Sequence, residues 1–97
     1  MQNQNEMPII KRAQALREME IKETPAGVMK TFSILFEKKN GELVFLPKAV
    51  PAGLRFNMKQ NRFRGVVPVD ENGDATDHIY PVNIDNIHEF NKNQVKL

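Results

Sequence analysis

The strongest constraint in this chain is a pair of β-prone runs, TFSILFE and ELVFLPK, on either side of KKNG. Asn-Gly suits a two-residue type I′ turn, because both central residues of that turn need φ > 0. With Asn40-Gly41 as the turn, Lys39 faces Glu42 and Phe36 faces Phe45. Alternation then places Phe32, Ile34, Phe36, Leu43 and Phe45 on one face. The other face holds Ser33, Glu37 and Lys48, but also Leu35, Val44 and Leu46. Those three apolar residues require a second layer, and an N-terminal helix is the candidate.

Residues 61–90 repeat the hairpin theme. The runs 66–69 and 78–84 are rich in Val, Ile and Tyr, and they flank the polar loop ENGDATD, in which Asn72-Gly73 marks a turn. Pro68 and Pro81 lack the N–H that an interior ladder needs, so they belong at edges, bulges or strand ends. Asn83 or Asp85 can cap one helical turn that buries Ile84 and Ile87, and Phe90 finishes the core. Between the hairpins, Pro51 and Gly53 interrupt any strand, and Leu54, Phe56 and Met58 alternate as a brief strand or an anchored loop. Residues 49–62 are long for a plain connection.

At the N-terminus, residues 1–7 are polar and predicted to be a disordered tail. Residues 8–24 predict a helix, with Pro8 in its first turn, a Glu18/Lys22 pair, and Thr24-Pro25-Ala26-Gly27 as its stop. Its apolar stripe of Ile9, Ala13 and Leu16 is narrow. A small β domain over 25–92 and a polar C-terminal tail over 93–97 complete the chain. The fold class expected is mainly β (α+β): a small, partly open barrel of four to five short antiparallel strands with one N-terminal helix. Such a barrel hides its sheet edges.

Composition narrows the functions. A chain of 97 residues fits one domain. It has no cysteine, which excludes disulfides, thiolate catalysis and cysteine-ligated zinc. The first 30 residues hold no apolar signal core, and the longest apolar run, residues 43–46, is far short of the ~20 residues that span a membrane. A soluble cytoplasmic protein is expected, with no membrane partner. The net charge of +2 is divided unevenly. Residues 31–65 carry seven Lys/Arg against Glu37 and Glu42, a net +5, whereas residues 66–97 carry two lysines against six acids, a net −4.

The basic stretch is the main candidate site. Lys48, Arg55, Lys59, Arg62 and Arg64 occur without an intervening acid, and Phe56 and Phe63 are interleaved. Cations neutralise phosphates and aromatic faces stack on unpaired bases, so the mixture suits nucleic acid or an acidic protein. The ordinary alternative is a solvated charged face. The loop 70–77 starts like a calcium loop, with Asp70, Asn72 and Asp74 at positions 1, 3 and 5. The match fails at Ala75 and Pro81, where glycine and a bidentate glutamate belong, so a polar hairpin tip is the better reading.

His78 and His88 have Asp77 and Glu89 beside them but no third ligand at diagnostic spacing, and Ser33 lacks a nucleophile elbow. No metal, cofactor or catalytic constellation is expected, and the chain reads as a non-enzymatic binding module. The alternative is a structural or assembly protein that self-associates through its opposite charge patches or its N-terminal arm.

YPVNIDNI, residues 80–87, resembles the end of an SH3-like barrel, where a strand, a 3₁₀ turn and a last strand follow in order. The resemblance implies that residues 88–91 belong to the final strand. It does not extend to the aromatic groove that binds proline-rich helices in signalling SH3 domains, since the chain has no Trp and one Tyr. Residues 31–50 together with NRFRGVVPVD and YPVNIDNI also resemble short uncharacterised proteins of bacterial mobile elements or prophages. That similarity implies no activity and assigns no residue.

Overall fold

The structure, a computed structural model, describes residues 7–21, 23–53 and 62–97. In chain order the elements are β1 (Ile9–Lys11), α1 (Arg12–Glu20), β2 (Phe32–Glu37), β3 (Leu43–Ala52), β4 (Phe63–Pro68), β5 (Tyr80–Asn83), a 3₁₀ turn (Ile84–Asn86), β6 (Ile87–Phe90) and β7 (Asn93–Lys96). The fold is mainly β with one helix. Its strands form a single mixed sheet in the order β1-β7-β6-β2-β3-β4-β5, with β1 and β5 at its ends and no closing pair among the described residues. Seven strands among the described residues thus replace the expected four to five.

The two additional strands come from segments read as helix and tail. Residues 9–11 pair in parallel with β7, so the helix begins at Arg12 and not at Pro8. Residues 93–97 are not a free tail, because β7 pairs antiparallel with β6. The turn between β6 and β7 is Asn91-Lys92, and both residues have positive φ, 49° and 64°. That is the backbone of a two-residue type I′ hairpin.

The first hairpin forms, but one residue out of the expected register. Gly41 N–H donates to the Lys38 carbonyl and Lys38 N–H to the Glu42 carbonyl, each at 2.8 Å. The loop is therefore three residues long, with Gly41 at φ 90° closing it. Phe36 faces Val44, and Leu35 faces Phe45. Because side chains alternate, this slip reverses the whole second strand. Val44 and Leu46 turn toward the core, and Leu43 and Phe45 turn away, 59% and 54% exposed. Lys38, not Lys39, pairs with Glu42, at 3.6 Å.

The core lies on the other side of the sheet. Phe32, Ile34, Phe36, Leu46, Ala49, Val66, Val82, Ile87 and Phe90 form one buried cluster, and α1 adds Ala15 and Met19 to it. Phe32 and Phe90 stack at 5.2 Å, and Tyr80 meets Phe36 edge-on at 5.8 Å. The helix packs through Ala15 and Met19 with Leu16 beside them; of the predicted stripe Leu16 reaches the core, Ala13 is exposed and Ile9 belongs to β1. It covers the core face and leaves Leu35 on the other.

β3 runs through Pro47 and Pro51 to Ala52, so Pro51 does not end it. A register shift against β2 leaves Pro47 beside an irregularity, and beyond Ala49 the strand pairs only with β4. Both positions tolerate a missing N–H. Pro68 ends β4 and Pro81 lies in the terminal strand β5, as a proline in a ladder should. The tip 70–77 is a turn: Asp70 Oδ1 accepts the amides of Asn72 and Asp74 at 2.8 and 3.0 Å, and Gly73 has φ 85°. Asn83 caps the 3₁₀ turn through Asp85 N–H at 2.9 Å.

Candidate interaction surface

The five basic residues do not form one free face among the described residues. Arg55 and Lys59 lie outside those residues. Arg62 is engaged by Asp85, which accepts its Nε on Oδ2 at 3.0 Å and its Nη2 on Oδ1 at 2.7 Å. Arg12, at the start of α1, donates to the same Oδ1 at 2.7 Å. The hydrogen bond from Arg62 holds the Asp85 carboxyl below the usual carboxylate range, and the same bond raises the Arg62 pKa. Arg64 is opposite Val82, on the core side of β4. Its Nη1 donates to the Phe63 carbonyl at 3.0 Å, and its buried Nε has no hydrogen-bond partner. Lys48 is half-buried in β3.

The histidines sit in separate settings. His78 Nδ1 and backbone N–H both meet Asp77 Oδ1, at 2.8 and 2.7 Å, and its ring lies 4.2 Å from that of Tyr80. Tyr80 donates its hydroxyl to Asp77 Oδ2 at 2.9 Å. The His78 amide first, then the Tyr80 hydroxyl, lower the Asp77 pKa, and the bond to Asp77 raises that of Tyr80. His88 Nε2 meets Glu37 Oε1 at 3.2 Å. Among the described residues no three His, Asp or Glu gather in a way that could hold a metal ion. No helix among them is long and apolar enough to cross a membrane.

What the register assembles instead is an outer face that is apolar and acidic around Leu35 and Glu89 and carries the lysine pair Lys11/Lys96 at its β1–β7 edge. Cross-strand partners share a face, so one row runs Ile9, Gln94, Glu89, Leu35, Phe45 across five strands. The next row joins Glu37 to Leu43. His88 is an extra residue between the pairs Leu35/Glu89 and Phe36/Ile87, and this bulge brings its ring to Glu37. Met7, Leu35, Glu37, Leu43, His88 and Glu89 line much of a shallow concavity of ≈ 640 Å³ on this face. Ile9 is 64% exposed there. No described helix or strand packs over these side chains.

The sequence carried part of the signal of this surface. In LVFL every residue is apolar, so whichever register forms, two of the four must face away from the core. Alternation along β2 also put Glu37 beside Leu35 opposite the core, whereas Glu89 and His88 carried no signal, because bulge and cross-strand partners decide where they lie. No protein family, curated protein or solved structure matches this chain.

Proposed function

We propose that this chain is a non-enzymatic, cytoplasmic protein-interaction domain whose contact surface is the outer face of its sheet. The carrying observation is the exposed pair Leu43 and Phe45 beside Leu35 on adjacent rows of the sheet, left bare while α1 packs on the core face. Exposed Ile9 lies further along the row, beyond Glu89 and Gln94. Contiguous apolar surface with a polar rim is what recognition sites present. Nucleic-acid binding through the basic stretch has less support, since Asp85 occupies Arg62 and Arg64 is directed to the core side. Self-association through the N-terminal arm also has less support, since β1 is already paired with β7 of its own chain.

An SH3-like small barrel is part of the proposal. Support comes from the antiparallel subset β6-β2-β3-β4-β5, in which the 3₁₀ turn joins β5 to β6. The fold by itself assigns no function.

The test places a photo-crosslinking benzoylphenylalanine at position 45 in cells that make the protein. A discrete protein adduct at 45, absent when the probe replaces Glu71 in the polar hairpin tip, is the expected result. Indistinguishable adducts from both positions, or none from 45, would overturn the reading.

A further inference from the structure

We infer that the concavity beside Leu35 and Leu43 takes a cationic, apolar segment of a partner protein, an inference that rests on the outer face being the contact surface. The lining is chemically one-sided. Its hydrophobic floor is Met7, Leu35 and Leu43, and its charged groups are Glu37 and Glu89, with His88 beside Glu37. Among the described residues no lysine or arginine lines it. Half-buried Glu89 has no ion-pair partner among the described residues, and Glu37 meets only the His88 ring.

Each cross-strand row couples a carboxylate to an apolar side chain: Glu89 to Leu35 and Phe45, and Glu37 to Leu43. The rows are two residues apart along β2, about 7 Å at the rise of a strand. A segment mixing Lys or Arg with Leu-like residues satisfies both chemistries at once. Its apolar groups cover Leu35 and Leu43, and its cations neutralise carboxylates that are partly desolvated on contact. A symmetric pairing of two copies centred on this concavity fits worse, because it would gather the Glu37 and Glu89 carboxylates of both copies in one apolar interface. A neutral apolar partner would leave those carboxylates desolvated and unpaired.

The experiment titrates the full chain, labelled with ¹⁵N, with three capped heptapeptides: Lys-Leu-Lys-Leu-Lys-Leu-Lys, Glu-Leu-Glu-Leu-Glu-Leu-Glu and Lys-Ser-Lys-Ser-Lys-Ser-Lys. The Lys-Leu peptide is expected to shift the amides of Leu35, Glu37, Leu43 and Glu89 saturably, with the other two peptides much weaker. Losing two exposed ion pairs in E37Q/E89Q should weaken it about fivefold. Both substitutions are on the outer face, and a dispersed amide spectrum of the variant confirms its fold. If the Glu-Leu peptide binds the same amides as tightly, or E37Q/E89Q leaves affinity unchanged, the cationic inference falls and the outer-face reading stands. If no peptide shifts those amides, the inference falls, and crosslinking from position 45 decides the broader reading separately. Sedimentation showing a dimer that L43S/F45S abolishes would make the occupant a second copy and overturn the inference.

Discussion

Arg62 grips Asp85 with two parallel donors, Nε to Oδ2 at 3.0 Å and Nη2 to Oδ1 at 2.7 Å. Arg62 is itself at φ 58°, and its carbonyl accepts the Ile84 amide at 3.0 Å. Backbone and side chain of one residue therefore fasten the entry of β4 to the 3₁₀ turn. Arg12 extends the clasp to the start of α1. The pair is exposed, so water and salt screen it, and its contribution is positional more than energetic.

The clasp has a definite acid dependence. The folded-state pKa of Asp85 is lowered, so its stabilisation is complete above the unfolded value near ~3.9 and is lost as pH falls through the folded value. Asp77 is lowered too and acts in the same direction. Urea midpoints should fall on acidification below about pH 5, and Asp85→Asn should start lower at neutral pH but decline less. Parallel acid profiles for wild type and variant would refute the assignment.

The hairpin register separates neighbouring phenylalanines. Phe36 is 2% exposed in the core and Phe45 54% exposed on the outer face. Phe36→Ala should cost about 3–5 kcal/mol by leaving a cavity. Phe45→Ser should stay within about 0.5 kcal/mol, the range of ordinary surface changes. Chemical denaturation of both variants checks this. A large loss for Phe45→Ser would restore the two-residue turn, which puts Phe45 inside.

Much of the fold was legible where the decisive interactions are local. Asn83 capping the 3₁₀ turn, buried Ile84 and Ile87, and the Gly73 turn each depend on residues a few positions apart. What the sequence hid depends on long separations or a single-residue count. β1 is three residues whose strand partner, β7, is at the far end of the sequence, and Arg12 meets Asp85 across 73 positions. Asn-Gly marked a turn in the first hairpin but not its length, and that length decided which side of β3 faces the core. Arg62 and Arg64 looked alike as cations; an acid 23 residues from Arg62 and the strand pairing of Arg64 gave them different roles.

Removing the C-terminus tests β7 directly. Ending the chain at Lys92 deletes the strand that links β6 to β1, along with Val95, which packs on the core opposite Ile10. Ile10 then loses its covering neighbour and α1 its anchor. The truncated protein should unfold at lower urea than wild type, and amide exchange should accelerate first in α1. A tail with no structural role would leave both measurements unchanged.

The β6–β7 turn holds a specific strain. Lys92 has φ 64°, a left-handed backbone that costs an L side chain roughly 1–2 kcal/mol and glycine almost nothing. The neighbouring Asn91 is better suited, and its Oδ1 accepts the Ser33 amide at 3.0 Å, which fixes the turn against β2. Lys92→Gly relieves the strain but loosens the unfolded chain, since glycine has more states to lose. A net gain of about 0.5–1 kcal/mol is expected at this fully turn-committed position. Asn91→Gly at the same hairpin should instead destabilise, because it removes the bond to Ser33. Thermal unfolding of the two variants should therefore move in opposite directions, and a loss of stability for Lys92→Gly would refute a positive φ there.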